Sequence, residues 1–298
     1  MWIKAQHKTD FEFFETAPEA LRKTMQNNVS AVFSSIHDSY FSKKAGLDLS
    51  TNYATRNAID QLQAIWSSSR FYCTEIEVIR RVLQTTNGFQ IRNIPVFFEQ
   101  GGTDEDKYLD LVIELTSDGK ISDVTVALPM HLMNGILDTR DMVTDLRRRQ
   151  MILRFLENFL TAYYRKDMNF LDRIFSDDVI DWEMKSKSDL KSPKQGMKEY
   201  VIIEKNQYMN SLKSAFIRNE FVNIKFSEIE VIQLADNKNI YGITLLKHWN
   251  SANYKESVWF FMMVDFRDEN NPIIWVRTWQ PLEVQINQRF GFDYFPLL

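Results

Sequence analysis

Glu75-Ile76-Glu77-Val78-Ile79 recurs, residue for residue, as Glu228-Ile229-Glu230-Val231-Ile232, 153 positions further along the chain. Five identical residues carry little weight alone, and their surroundings carry more. Ahead of each copy lies a long amphipathic helix pattern and then a shorter one. From each copy onward run strand patterns that end in an apolar stretch stopped by proline, at Pro129 and at Pro281. The last hairpin turns, at Asp118 and Asp268, stand 150 positions apart. A repeat in register over that length predicts one unit duplicated in tandem.

Working outward, the first half opens with a helix over about Pro18 to Lys43. Pro18 suits a first helical turn, and Val29, Val32, Ile36 and Tyr40 make one apolar stripe. A shorter helix, Thr55 to Ser67, carries Ile59, Leu62 and Trp66. The period then becomes strand-like. Phe71 to Leu83 reads as one strand, Phe89 to Glu99 as a second, and Tyr108 to Thr116 with Ile121 to Leu128 as a hairpin about Asp118-Gly119. Pro129 to about Thr144 reads as a connection. From Asp145 the pattern restarts with Ile152, Phe155, Leu156, Phe159, Leu160 and Tyr163 on one helical face. A short helix over Asp167 to Phe175, a strand over Val179 to Met184, a polar loop through Pro193 and Gly196, and a helix over Tyr200 to Arg218 follow. Four strands close the half: Val222 to Leu234, Ile240 to Asn250, Glu256 to Arg267 and Ile273 to Gln280. Helices leading into an antiparallel meander define an α+β class.

Composition narrows the function classes. The chain has 298 residues, 44% hydrophobic and 26% charged, enough to bury substantial cores. Its net charge is −4 and Arg147-Arg148-Arg149 is the densest basic run, so nucleic acid is not expected as a partner. Cys73 is the single cysteine, which excludes an internal disulfide; within Phe71-Tyr72-Cys73 it reads as a buried, inert thiol. No stretch reaches the 18 apolar residues of a membrane span, so no integral membrane segment is expected. Ala5-Gln6 is similar to the end of a bacterial secretory signal, giving an expectation of export with a cytoplasmic location as the alternative.

The order helix, helix, strand, helix, four strands over Asp145 to Gln280, with the opening segment from Phe159 to Asp178, resembles the nuclear transport factor 2-like superfamily. The resemblance implies a cone fold shared with ketosteroid isomerases, polyketide cyclases and plain binding domains. It predicts two tandem cone-shaped domains, each with N-terminal helices packed on a curved antiparallel sheet, at 18–129 and 145–281, with 282–298 packed on the protein or a partner. Asn93-Ile94-Pro95, Tyr241-Gly242-Ile243-Thr244, Trp249-Asn250-Ser251, Asp265-Phe266-Arg267-Asp268 and Val276-Arg277-Thr278-Trp279-Gln280-Pro281 look like tandem proteins of gut and oral Bacteroidetes, which are generally exported. That resemblance supports export and leaves the chemistry open.

Polar residues on strands that wall a cone pocket are the candidates for binding. His248, between Lys247 and Trp249, has the side chain of a general base, or of a rim or cross-strand hydrogen-bonding histidine. Asp265 and Arg267 share a strand, with Arg277 on the next. They fit a structural ion pair, or an arginine fork for a ligand carboxylate. Trp249 and Trp279, with Trp259 and Trp275, suit a ligand wall or core packing. In the first half Asp110, Glu114, His37 and Asp38 are the polar residues of note, and Asp177-Asp178 suits a helix end or turn better than a metal site. No metal-ligand spacing, nucleophile elbow or phosphate loop is present, so neither metal nor cofactor is expected.

Three functions fit these features. The leading one is an exported, non-enzymatic binding protein for a small apolar or acidic ligand or a protein partner. The second is a small-molecule isomerase, cyclase or dehydratase using His248 with Asp265 or Arg267. The third is an assembly module, including a homodimer, built on exposed sheet faces.

Overall fold

The computed structural model describes residues 8–15, 17–138, 143–184 and 200–295. The chain divides into two compact units. One runs up to Leu128 and includes Tyr163–Lys166; the other runs from Pro129 and takes the remainder.

In the first unit, helix α1 spans Glu19–Phe41 and buries Met25, Val29, Val32, Phe33 and Ile36 on one stripe. Helix α2, Arg56–Ser68, starts where the Thr55 hydroxyl accepts from the Ala58 amide at 3.3 Å, which satisfies one otherwise orphaned donor. The sheet is a meander of β2 (Phe71–Cys73), β5 (Gly88–Phe98), β6 (Tyr108–Leu115) and β7 (Ile121–Val126), with β4 (Leu83–Thr85) also paired to β5. The single strand expected over Phe71 to Leu83 is therefore broken. Its middle, β3 (Glu77–Arg81), leaves that sheet and pairs in parallel with β1 (Asp10–Phe14). The cause is local burial. Val78 is buried, Phe11 and Phe13 are buried beside it in sequence register, and Phe11 packs 5.1 Å from Phe33 of α1. Ahead of α2, Ala54 makes a parallel bridge to Ile121 of β7.

Gly88 opens β5 at φ +150°, where a side chain would collide with the Leu115 carbonyl oxygen. We expect Gly88→Ala to destabilise the protein by more than about 1 kcal/mol, measured as the shift in urea midpoint. An unchanged midpoint would contradict the clash.

The second unit begins with α3 (Met130–Leu137), which buries Leu132 and Ile136, so the segment expected as a bare connection carries a helix. Then come α4 (Leu146–Arg165), α5 (Met168–Ile174), β8 (Phe175–Met184), β9 (Tyr200–Ile203) and α6 (Lys205–Arg218), followed by β10 (Val222–Leu234), β11 (Asn237–Ser251), β12 (Lys255–Asp265) and β13 (Ile273–Pro281). The sheet order is β10-β11-β12-β13-β8-β9, antiparallel throughout except for the parallel pair β8–β13. The helix expected from Tyr200 starts only at Lys205, because the run Val201-Ile202-Ile203 prefers a strand. The expected polar loop through Pro193 and Gly196 lies outside the described residues.

The two faces of this sheet differ. Phe159 of α4 stacks 6.3 Å from both Phe226 and Phe260, which marks the helix-covered face. On the opposite face, Phe261, Met263 and Val276 form a buried cluster with Phe290 and Phe295 of the C-terminal segment. Gln280 fastens that segment: its side-chain nitrogen donates to the Gln288 carbonyl at 3.0 Å, and its oxygen accepts from the Phe290 amide at 2.8 Å. Gly242 leaves room for the ring of Phe292, which a Cβ would approach to 3.0 Å. Arg289 lies 3.2 Å above the Trp259 ring.

The two copies of the opening pentapeptide share an irregularity. The first is split between a loop and the departing β3. The second begins at a bulge in β10, where the register shifts between Ser227 and Ile229 and Glu228 takes φ 48°.

Candidate functional site

Strand register decides what the helix-covered face of the second sheet presents, because directly paired residues point to the same side. Arg277 pairs with Met262, Trp279 with Phe260, Phe260 with Leu245, and Lys247 with Val258 and Phe226. Two cations thus enter an aromatic layer. The Arg277 guanidinium lies 4.0 Å over the Tyr208 ring of α6 and 5.4 Å from Phe260, while the Lys247 ammonium is 5.1 Å from the same Phe260. Arg277 is 5% exposed and Lys247 6%. Such cation–π contacts, once desolvated, are worth about 2 kcal/mol each. Trp249, two positions on from Lys247, projects from this face, as does Trp279, and both are half-buried. Chemically, a guanidinium and an ammonium beside flat apolar rings suit an anionic head on an apolar body.

His248 projects from the other face. Its Nε2 lies 2.7 Å from the Ser227 hydroxyl and its Nδ1 2.7 Å from the Ser257 hydroxyl, so the imidazole bridges β10 and β12. Asp265 and Arg267 form a third, separate place. The Arg267 amide and Nε donate to Asp265 at 2.8 and 2.6 Å, and the Trp275 indole donates to it at 3.4 Å. The side-chain hydrogen bond that it donates to the Asp265 carboxylate pushes the Arg267 guanidinium above its ordinary range. This is an ion pair within one strand end, not the pairing across strands with Arg277 that alternation suggested.

Of the residues singled out from sequence, the fold brings Arg277, Trp279 and Trp249 to one face, joins Asp265 to Arg267 at a strand end, and sets His248 apart from both groups. Ser257, the partner of His248, and Asp265 stand eight positions apart along β12, about 26 Å at strand rise. A base at His248 working with Asp265 or Arg267 is therefore corrected: the register puts them at opposite ends of the sheet. The tryptophans divide as well, since Trp259 lies under Arg289 and Trp275 packs with the C-terminal segment. Lys247, Tyr208, Phe260, Ser227 and Ser257 are the site residues that composition and spacing missed. For Lys247 a signal existed, because it shares the parity of the inward Ile243 and Leu245.

In the first unit, burial pushes the Asp110 carboxyl up. Glu114 accepts from Gln90 at 2.7 Å, and Asp38 is ion-paired to Lys8 at 2.8 Å beside His37. Asp177 pairs with Lys205 at 2.9 Å. Cys73 is buried, and burial raises its thiol pKa. Among the described residues no three His, Cys, Asp or Glu side chains gather as a metal would need. No helix among them is long and apolar enough to cross a membrane.

No protein-family model matches the chain. No curated protein matches it. Solved structures show a likeness over just under half of it. Bdellovibrio bacteriovorus Bd1075 is 14% identical at a TM-score of 0.36, over 47% of this chain and 42% of that one, so the chain spans less than half of that protein's length. A nuclear transport factor 2-like protein from Cytophaga hutchinsonii is 11% identical at a TM-score of 0.34, over 45% of this chain and 98% of its own. A nuclear transport factor 2-like protein of unknown function from Silicibacter pomeroyi is 14% identical at a TM-score of 0.31, over 45% and 95%. At these scores the likenesses assign this chain neither a family nor an activity.

Proposed function

We propose that the chain is an exported binding protein made of two tandem cone-type domains, 18–129 and 145–281, whose second domain takes a small ligand with an acidic head and an apolar body. The duplication rests on the recurring pentapeptide and on the meander common to both sheets, and export rests on the resemblance to exported tandem proteins. One observation carries the ligand class: Arg277 and Lys247, both buried, converge on the ring of Phe260 from neighbouring strands. The guanidinium offers a carboxylate a two-pronged donor, the ammonium a second charge, and Tyr208, Phe260 and Trp279 an apolar bed.

Native mass spectrometry of the purified protein tests this reading. A retained mass corresponding to an organic acid is the expected result. Arg277→Met, which keeps the stem and removes the fork, should then weaken rebinding by about tenfold or more. A bare mass, together with no thermal shift from a panel of aromatic and aliphatic carboxylates, would sink the reading.

A further inference from the structure

The face that carries His248 holds a second constellation, independent of the ligand reading above. Ser227 on β10, His248 on β11 and Ser257 on β12 form a continuous hydrogen-bonded line, 2.7 Å on each side of the imidazole, and all three are partly open to solvent. A neutral imidazole has one N–H and one bare nitrogen. With the proton on Nδ1, the ring donates to Ser257, and Nε2 accepts from the Ser227 hydroxyl. That is the arrangement of a nucleophile, a base and a group that orients the base. Two further features fall on Ser227 and its surroundings. It sits at the β10 bulge, beside Glu228 at φ 48°, and bulges re-aim the side chains next to them. Lys225, opposite His248 in register, projects from the same face with a positive charge.

We propose that Ser227 and His248 form a nucleophile–base pair that accepts acyl groups from small carboxylic esters, with Ser257 as the positioning residue. Ser227 Oγ attacks the ester carbonyl carbon and its proton passes to His248 Nε2. Lys225 offsets the negative charge that develops on the carbonyl oxygen. The carbon–oxygen bond to the leaving group then breaks, and the departing alkoxide takes the proton from His248. Water, deprotonated by the same nitrogen, releases the carboxylic acid and restores Ser227.

The test uses the full chain, with p-nitrophenyl acetate to follow rate and a fluorophosphonate to trap the serine for peptide mapping. The expected result is a fluorophosphonate adduct on Ser227, absent in Ser227→Ala. Nitrophenol release should fall by about 10²-fold in His248→Gln. Ser257→Ala should displace the pH–rate profile and Ser257→Thr should restore it, an effect that lost stability alone would not produce. No adduct, an adduct on other serines, or equal rates in wild type and His248→Gln would overturn the proposal and leave the line as a cross-strand hydrogen-bond network. Should His248→Gln not fold, the wild-type profile decides. A rate that climbs as the imidazole loses its proton supports the pair, and a rate that merely follows hydroxide concentration overturns it.

Discussion

Phe260→Ala should cost about 3–5 kcal/mol of stability, the usual range for emptying a buried phenylalanine site. Its ring is 1% exposed, stacks on Phe159, pairs in register with Trp279, and lies under both Lys247 and Arg277. Truncation would remove the aromatic face from two buried cations together with its own packing. Phe260→Leu separates the two contributions, since it keeps much of the volume and loses the π face. We expect Leu to recover more than half of the stability while ligand retention by Arg277 stays impaired. Denaturant unfolding and native mass spectrometry of the same samples measure both. Equal losses in Ala and Leu would mean that the ring's π face, not the volume it packs, sets the behaviour of this layer.

The second large effect concerns the outer face. Ending the chain after Val284 removes Phe290 and Phe295, which are 3% and 6% exposed against Phe261, Met263 and Val276. Two buried phenylalanines correspond to at most about 3–6 kcal/mol of hydrophobic stabilisation. The same cut strips the Trp259 ring of Arg289 and leaves Gln280, 1% exposed, without its two backbone partners. The shortened protein should melt at lower temperature and associate with increasing concentration, because a contiguous apolar patch would face water. Sedimentation velocity and thermal unfolding measure this. A monomer of unchanged stability would show that the segment contributes nothing there.

The secondary structure was largely legible, for physical reasons that also explain the gaps. Val29, Val32 and Ile36 repeat at helical spacing, and Asp118-Gly119 needs a turn whatever the partners, so α1 and the β6–β7 hairpin follow from local chemistry. The break between Cys73 and Glu77 does not. It depends on β1, more than sixty residues away, whose buried Phe11 pairs in register with the buried Val78. Position within the site follows the same division. Arg277 and Trp279 stand out as polar and aromatic residues of equal parity on a strand. The line from Ser227 through His248 to Ser257 exists only once three strands are aligned, and a shift of one residue would turn His248 to the helices and Lys247 to solvent.

The parallel pair β8–β13 bears on how the second unit assembles. Strands β10 to β13 can zip from one hairpin to the next, each closing a short loop. Phe175 meets Ile274 only after about a hundred intervening residues have been organised. Refolding should therefore be biphasic, with amides of β11 and β12 protected from hydrogen exchange early and those of β8 and β9 late. The side of the sheet that completes the wall beside Arg277 would then be the last to become native and the first to open.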